Sequence, residues 1–129
     1  MKPILVVIFL LAFSFPTISR GQSYIAHYTV SSHIKNDTLI DSVTGVKFIL
    51  DKDRIYVKAI DKSGKQLWKT DPAVDNKLEE YRVKRPLIAY FHFIKERMTG
   101  LEVIGITYNN SQFGYLDKKT GTFKFEGQD

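Results

Sequence analysis

Arg54-Ile55-Tyr56-Val57-Lys58-Ala59-Ile60-Asp61-Lys62-Ser63-Gly64-Lys65-Gln66-Leu67-Trp68 is the stretch that decides the fold class. From Arg54 to Ile60 apolar and polar residues alternate, setting Ile55, Val57 and Ala59 against Arg54, Tyr56 and Lys58. That period of two is what a half-buried strand requires. Asp61-Lys62-Ser63-Gly64 then reads as a turn: Asp61 is placed to bond its own backbone, and Gly64 is free to take a positive φ. Gln66 to Lys69 returns as the next strand. Upstream, Val46 to Leu50 is a further apolar run, and the intervening Asp51-Lys52-Asp53 predicts a hairpin between it and Arg54 to Ile60.

Working outward, Tyr24 to Val30 alternates like a first strand, while Ser31 to Gly45 is polar and turn-rich. Its isolated Leu39, Ile40 and Val43 suit either a short edge strand or a pinned loop. Thr70 to Pro86 breaks the β pattern. Leu78, Tyr81 and Arg82 fall at helical spacing before Pro86, which fits a single helical turn or a loop. Leu87 to Ile94 is apolar on both faces; Tyr90, Phe91 and Phe93 favour a strand over a buried helix. Leu101 to Tyr108, Gln112 to Leu116 and Thr122 to Phe125 complete the set, joined by Asn109-Asn110-Ser111 and by Asp117-Lys118-Lys119-Thr120-Gly121. The expected fold is all-β: antiparallel meanders of about seven strands in a compact sandwich, barrel-like or blade-like sheet, with at most a short helix near 73–84.

The two Asp-Lys turns belong to a weak internal repeat about 57 residues apart, in which Asp61 and Gly64 correspond to Asp117 and Gly121. Ala59-Ile60-Asp61-Lys62-Ser63-Gly64-Lys65-Gln66-Leu67-Trp68 resembles a blade of the quinoprotein-type, PQQ-like β-propellers, whose repeats run strand, Asp-x-x-(Thr/Ser)-Gly, then a strand with tryptophan. The second copy carries Phe125 where that pattern has tryptophan. The resemblance implies structural roles for Asp61, Gly64 and Trp68, and it brings no quinone-binding or metal residue. Two copies are too few to close a propeller, which takes at least about four blades.

The N-terminus reads as a secretory signal. Lys2 precedes an apolar or small run from Ile4 to Phe15, and Ser19 and Gly21 stand at the small-residue cleavage positions. The run is shorter than the ~20 residues a membrane span needs. Residues 1–21 are therefore expected to be removed, leaving 22–129 as one β domain, secreted or periplasmic, with no membrane span after processing. Loss of Lys2 and Arg20 leaves 17 basic against 14 acidic residues, a net charge of +3. Cysteine is absent, so an exported domain of this size must be held by its core alone.

Motifs for chemistry are sparse. His27, His33 and His92 lack metal-ligand spacing, and Asp51, Asp53 and Asp61 lack the further oxygens of a calcium loop, so neither a metal nor a cofactor is expected. There is no Gly-x-Ser-x-Gly elbow, no cysteine nucleophile and no phosphate loop, and no catalytic residue is assigned. Candidate binding residues are a basic cluster of Arg82, Lys84, Arg85, Lys95 and Arg97 and an aromatic strip of Tyr56, Trp68 and Tyr108; the competing reading of these rings is core packing. The reading is a binding or interaction module for a protein, an anionic glycan or another envelope component. Nucleic acid is disfavoured by export, and an oligomer remains open. The alternatives are a small hydrolase using carboxylates of the Asp51–Asp61 hairpin, or a structural subunit of an envelope assembly.

Overall fold

The computed structural model describes residues 38–129, so the signal segment, the strand expected at Tyr24 to Val30, His27 and His33 lie outside it. Two antiparallel four-stranded meanders make up the described chain. The first comprises β1 (Thr38–Ile40), β2 (Lys47–Leu50), β3 (Val57–Ile60) and β4 (Gln66–Thr70); the second comprises β5 (Ile88–Lys95), β6 (Glu102–Tyr108), β7 (Phe113–Leu116) and β8 (Phe123–Gly127). A four-residue helix, α1 (Pro72–Asp75), stands between them.

The all-β antiparallel expectation is therefore met, with eight strands among the described residues rather than about seven. The additional one is β1, which pairs with β2 and buries Leu39 between exposed Thr38 and Ile40. Residues 88–95 form a strand, as the aromatic content predicted. The helix is shorter than the Leu78, Tyr81, Arg82 spacing allowed. Asp71 caps its start by accepting the Val74 amide, Pro72 fits its first turn, and Lys77 and Arg82 both take left-handed backbone angles that a helix cannot continue through.

The β2–β3 connection also departs from the tight turn expected at residues 51–53. Asp51 Oδ1 accepts the amides of Ile55 and Tyr56, and Arg54 sits at φ +60°, so the loop extends to Tyr56 and β3 begins only at Val57. Ile55 therefore leaves the row formed by Val57 and Ala59. The Arg54 carbonyl accepts the Ile88 amide at 2.9 Å, tying this loop to the start of the second sheet.

One core joins the sheets. Phe48, Leu50, Val57 and Ala59 from the first meet Ile88, Phe91, Ile104, Ile106, Tyr108, Leu116 and Phe123 from the second. Phe48 is central, with its ring 5.8 Å from Trp68 and 6.0 Å, edge-on, from Phe93. Burial of such side chains at about 1.5–3 kcal/mol each is the main stabilising contribution in a domain without disulfides.

At one end the sheets are also clamped by polar contacts. The Trp68 indole lies over the β7–β8 turn, where it donates Nε1–H to the Lys118 carbonyl at 3.0 Å and covers Gly121. A Cβ at Gly121 would fall 2.6 Å from the indole, and its φ is +72°, whereas Gly64, at φ +87°, has open space around it. Gly121→Ala should cost about 2–4 kcal/mol, combining left-handed strain with displacement of the ring. Gly64→Ala should cost only about 1 kcal/mol, from conformation alone. Trp68→Ala should cost about 3 kcal/mol. Chemical denaturation of the three variants checks this order; equal losses for the two glycines would remove the packing role of the indole.

Candidate functional site

The register of the first sheet creates a surface that no linear motif announces. Its outward row runs Thr38, Ile49, Lys58, Lys69 across the four strands, and the next row runs Ile40, Lys47, Ile60, Gln66. Lys58 and Lys69 are thus direct cross-strand partners, an arrangement of like charges that destabilises a sheet. Lys47 is the diagonal neighbour of Lys58 on β2, and Lys52 stands on the adjoining β2–β3 loop. None of these four lysines forms an ion pair among the described residues. A groove of about 400 Å³ lies here, lined by Ile49, Leu50, Asp51, Lys52, Tyr56, Lys58 and Lys69. Lys69 Nζ sits 4.8 Å above the centre of the Tyr56 ring.

The basic cluster expected around the fifth strand is not a single patch. Arg82, Lys84 and Arg85 lie on the connection before β5, whereas Lys95 and Arg97 lie at its far end. Eight extended residues separate the two groups by roughly 25 Å. Arg85 pairs with Asp71 at 3.3 Å, and Arg82 packs over the Tyr81 ring and reaches Ser111 Oγ at 3.5 Å. Lys84 and Arg85, but not Arg82, edge a cleft of about 330 Å³ that also reaches Ile55, Leu78 and Gln112.

The expected aromatic strip also does not form. Tyr56 faces outward from the first sheet, Trp68 docks on the β7–β8 turn, and Tyr108 is 1 % exposed in the core. Burial holds the Tyr108 phenol protonated well above the usual tyrosine range, with Asp71 acting in the same direction. Its hydroxyl faces the Ala73 backbone without a hydrogen bond of ordinary geometry. Sequence reasoning missed the rings that do share a surface. Tyr90 and His92 of β5, 4.6 Å apart, stand in register with Thr107 and Gly105 of β6 and then with Phe113 and Tyr115 of β7 on the outer face of the second sheet.

The carboxylates of the Asp51–Asp61 hairpin do not converge. Asp51 lies at one end of β3 and Asp61 at the other, and each is held by its own turn: Asp61 Oδ1 accepts from Ser63 N, Ser63 Oγ and Lys65 N. Among the described residues no group of three His, Asp or Glu side chains is placed to hold a metal ion. No helix among them is long and apolar enough to cross a membrane.

Asp117 and Gly121 bracket the β7–β8 turn, whose amides at Lys119 and Thr120 donate to Asp117 Oδ1. From the same turn Lys118 Nζ reaches Asp41 at 2.7 Å and Glu102 at 3.0 Å. The hydrogen bond from Lys118 holds the Asp41 carboxyl below its ordinary value, helped by the Val43 amide. Partial burial pushes the Lys118 ammonium down, but its bonds to Asp41 and Glu102 outweigh this and leave it raised. No protein-family model matches the chain, and no curated protein or solved structure shows significant similarity to it.

These shifts carry a sign. A depressed carboxylate stabilises the fold above its unfolded value near 4, and the contribution is lost as pH falls through the lower folded value. A raised lysine stabilises below its unfolded value near 10.4, and that contribution is lost as pH rises through the higher folded value. Lys118→Met should therefore cost about 1–3 kcal/mol at pH 7 by stranding the buried Asp41 carboxylate. The difference from wild type should shrink as pH falls through the lowered value of Asp41 and its carboxylate protonates. Melting curves from pH 2 to 8 test this; a pH-independent difference would assign the loss to packing of the lysine stem.

Proposed function

We propose that this chain is an exported binding module that receives an anionic partner on the lysine face of its first sheet. The observation that carries the reading is the Lys58–Lys69 cross-strand pair, flanked by Lys47 and Lys52 and left without acidic partners. Such a pair costs the sheet stability, and an anion bridging both ammonium groups, about 5 Å apart at their Cβ atoms, offsets that cost. An anionic glycan fits best. The groove supplies adjacent point charges for carboxylate or sulfate groups, and the Tyr56 ring lies beside them for apolar contact with a sugar.

The paired meanders, the Asp-x-x-Thr-Gly turn at Asp117 and the docked Trp68 support a structural kinship with the quinoprotein-type blade. In this reading Asp61, Gly64, Asp117, Gly121 and Trp68 build the scaffold and take no part in binding. A hydrolase is the less favoured alternative, since Asp51 and Asp61 point to opposite ends of β3.

Stability and binding should separate at this site. Lys69→Glu replaces a repulsive cross-strand pair by an attractive one, so the variant should be as stable as wild type or more stable by about 0.2–1 kcal/mol. Its affinity for heparin, used as a polyanionic probe, should fall, mainly through the association rate, and added salt should weaken wild-type binding in the same way. Calorimetric melting and surface-based kinetics read the two effects. Heparin binding that is unchanged in Lys58→Glu/Lys69→Glu would sink the reading.

A further inference from the structure

Three of the four hairpin turns at one end of the domain share a single design. Asp41-Ser42-Val43-Thr44-Gly45, Glu96-Arg97-Met98-Thr99-Gly100 and Asp117-Lys118-Lys119-Thr120-Gly121 each open on an acid whose carboxylate accepts the amides two and three residues on. In each, the glycine amide returns to the acid's own carbonyl. Asp61-Lys62-Ser63-Gly64 is the same device one residue shorter. Because strands alternate direction in a meander, the β1–β2 and β3–β4 turns share one end of the first sheet, and the β5–β6 and β7–β8 turns share one end of the second. Lys118, bonded to Asp41 and Glu102, brings those two ends together.

This geometry sorts the charges. The carboxylates turn inward onto backbone amides, while Lys62, Lys65, Arg97 and Lys119 occupy the turns themselves and Lys47 and Lys95 the adjoining strand ends. At the tips stand Val43 and Met98, 88 % and 90 % exposed, in equivalent positions of equivalent turns. Leu101 and Ile40, at the bases of the same two turns, are also exposed. An ordinary turn tip is polar. Two projecting apolar tips, on hairpins that Lys118 ties together, thus stand at one end of the domain among these cations.

We propose that this end docks on an anionic lipid surface, with Val43 and Met98 entering the headgroup layer and the surrounding lysines and arginine meeting lipid phosphates. Charge complementarity selects the anionic leaflet, and insertion of the two tips supplies the apolar contribution on which interfacial binding depends. Neither Lys58 nor Lys69 takes part, although Lys47, at the start of β2, borders both surfaces.

The test uses the purified processed chain and vesicles of phosphatidylcholine with or without phosphatidylglycerol, read by co-sedimentation. Wild type should bind the anionic vesicles, lose binding as salt rises, and ignore pure phosphatidylcholine. Val43→Ser/Met98→Ser should reduce vesicle binding on the order of tenfold without changing the melting temperature or heparin binding, since both side chains are already in water. Arg97→Glu/Lys119→Glu should reduce it as well, through charge. Failure to bind anionic vesicles overturns the proposal, as does equal binding to neutral ones. Unchanged binding of the Val43/Met98 variant would also overturn it, by leaving only unspecific adsorption. If the tip variants lose heparin binding while vesicles are not bound, this end belongs to the polyanion site and the lipid proposal falls.

Discussion

The contact between Trp68 and the β7–β8 turn is the constraint on which the rest of this domain depends. The indole belongs to the last strand of one sheet and covers Gly121 in the last hairpin of the other, while its N–H holds the Lys118 carbonyl. The same turn sends the Lys118 side chain back to Asp41, in the first hairpin of the first sheet. Two independent links thus close one end of an apolar core that has no disulfide. Glycine is required at 121 because both the left-handed φ and the flat contact with the ring exclude a side chain.

Repetition of the acid-led turn has consequences for stability and for surface chemistry. Asp61 is held below its ordinary pKa chiefly by the Ser63 hydroxyl, and Glu96 chiefly by the Thr99 hydroxyl, with turn amides adding to both. Carboxylates committed in this way have their oxygens directed into the turn. The outward groups of the turns are then the cations and the two apolar tips. A device that organises the backbone therefore also decides what the end of the domain presents to a partner.

At the lysine face the pairing is unfavourable for stability, a cost that the proposed binding of an anion would offset. A sheet gains by setting unlike charges across its strands, yet here Lys58 faces Lys69 and no carboxylate answers either. The core beneath, with Phe48, Val57 and Ala59 almost fully buried, tolerates this unfavourable pair. Sites built for binding commonly depart from what stability alone would select.

The sequence by itself determined most of the strands, β1 and the start of β3 excepted, because alternation such as Val57 to Ile60 is a local property and because Asp61, Gly64, Asp117 and Gly121 signal their turns without help from distant residues. It also marked the residues before Pro86 as the one break in the β pattern. It did not determine which strand ends meet. The Glu96-Arg97-Met98-Thr99-Gly100 turn went unread beside its Asp-led relatives, since only its hydrogen bonds, with glutamate reaching where aspartate otherwise stands, make it their equivalent. Arg82 and Lys95 looked close because few residues separate them, yet an extended strand carries them apart. Lys58 and Lys69 looked unrelated and became neighbours through register. Charge patches and aromatic platforms are properties of pairing between strands, and pairing is set by which faces bury against a common core, a decision that belongs to the tertiary structure alone.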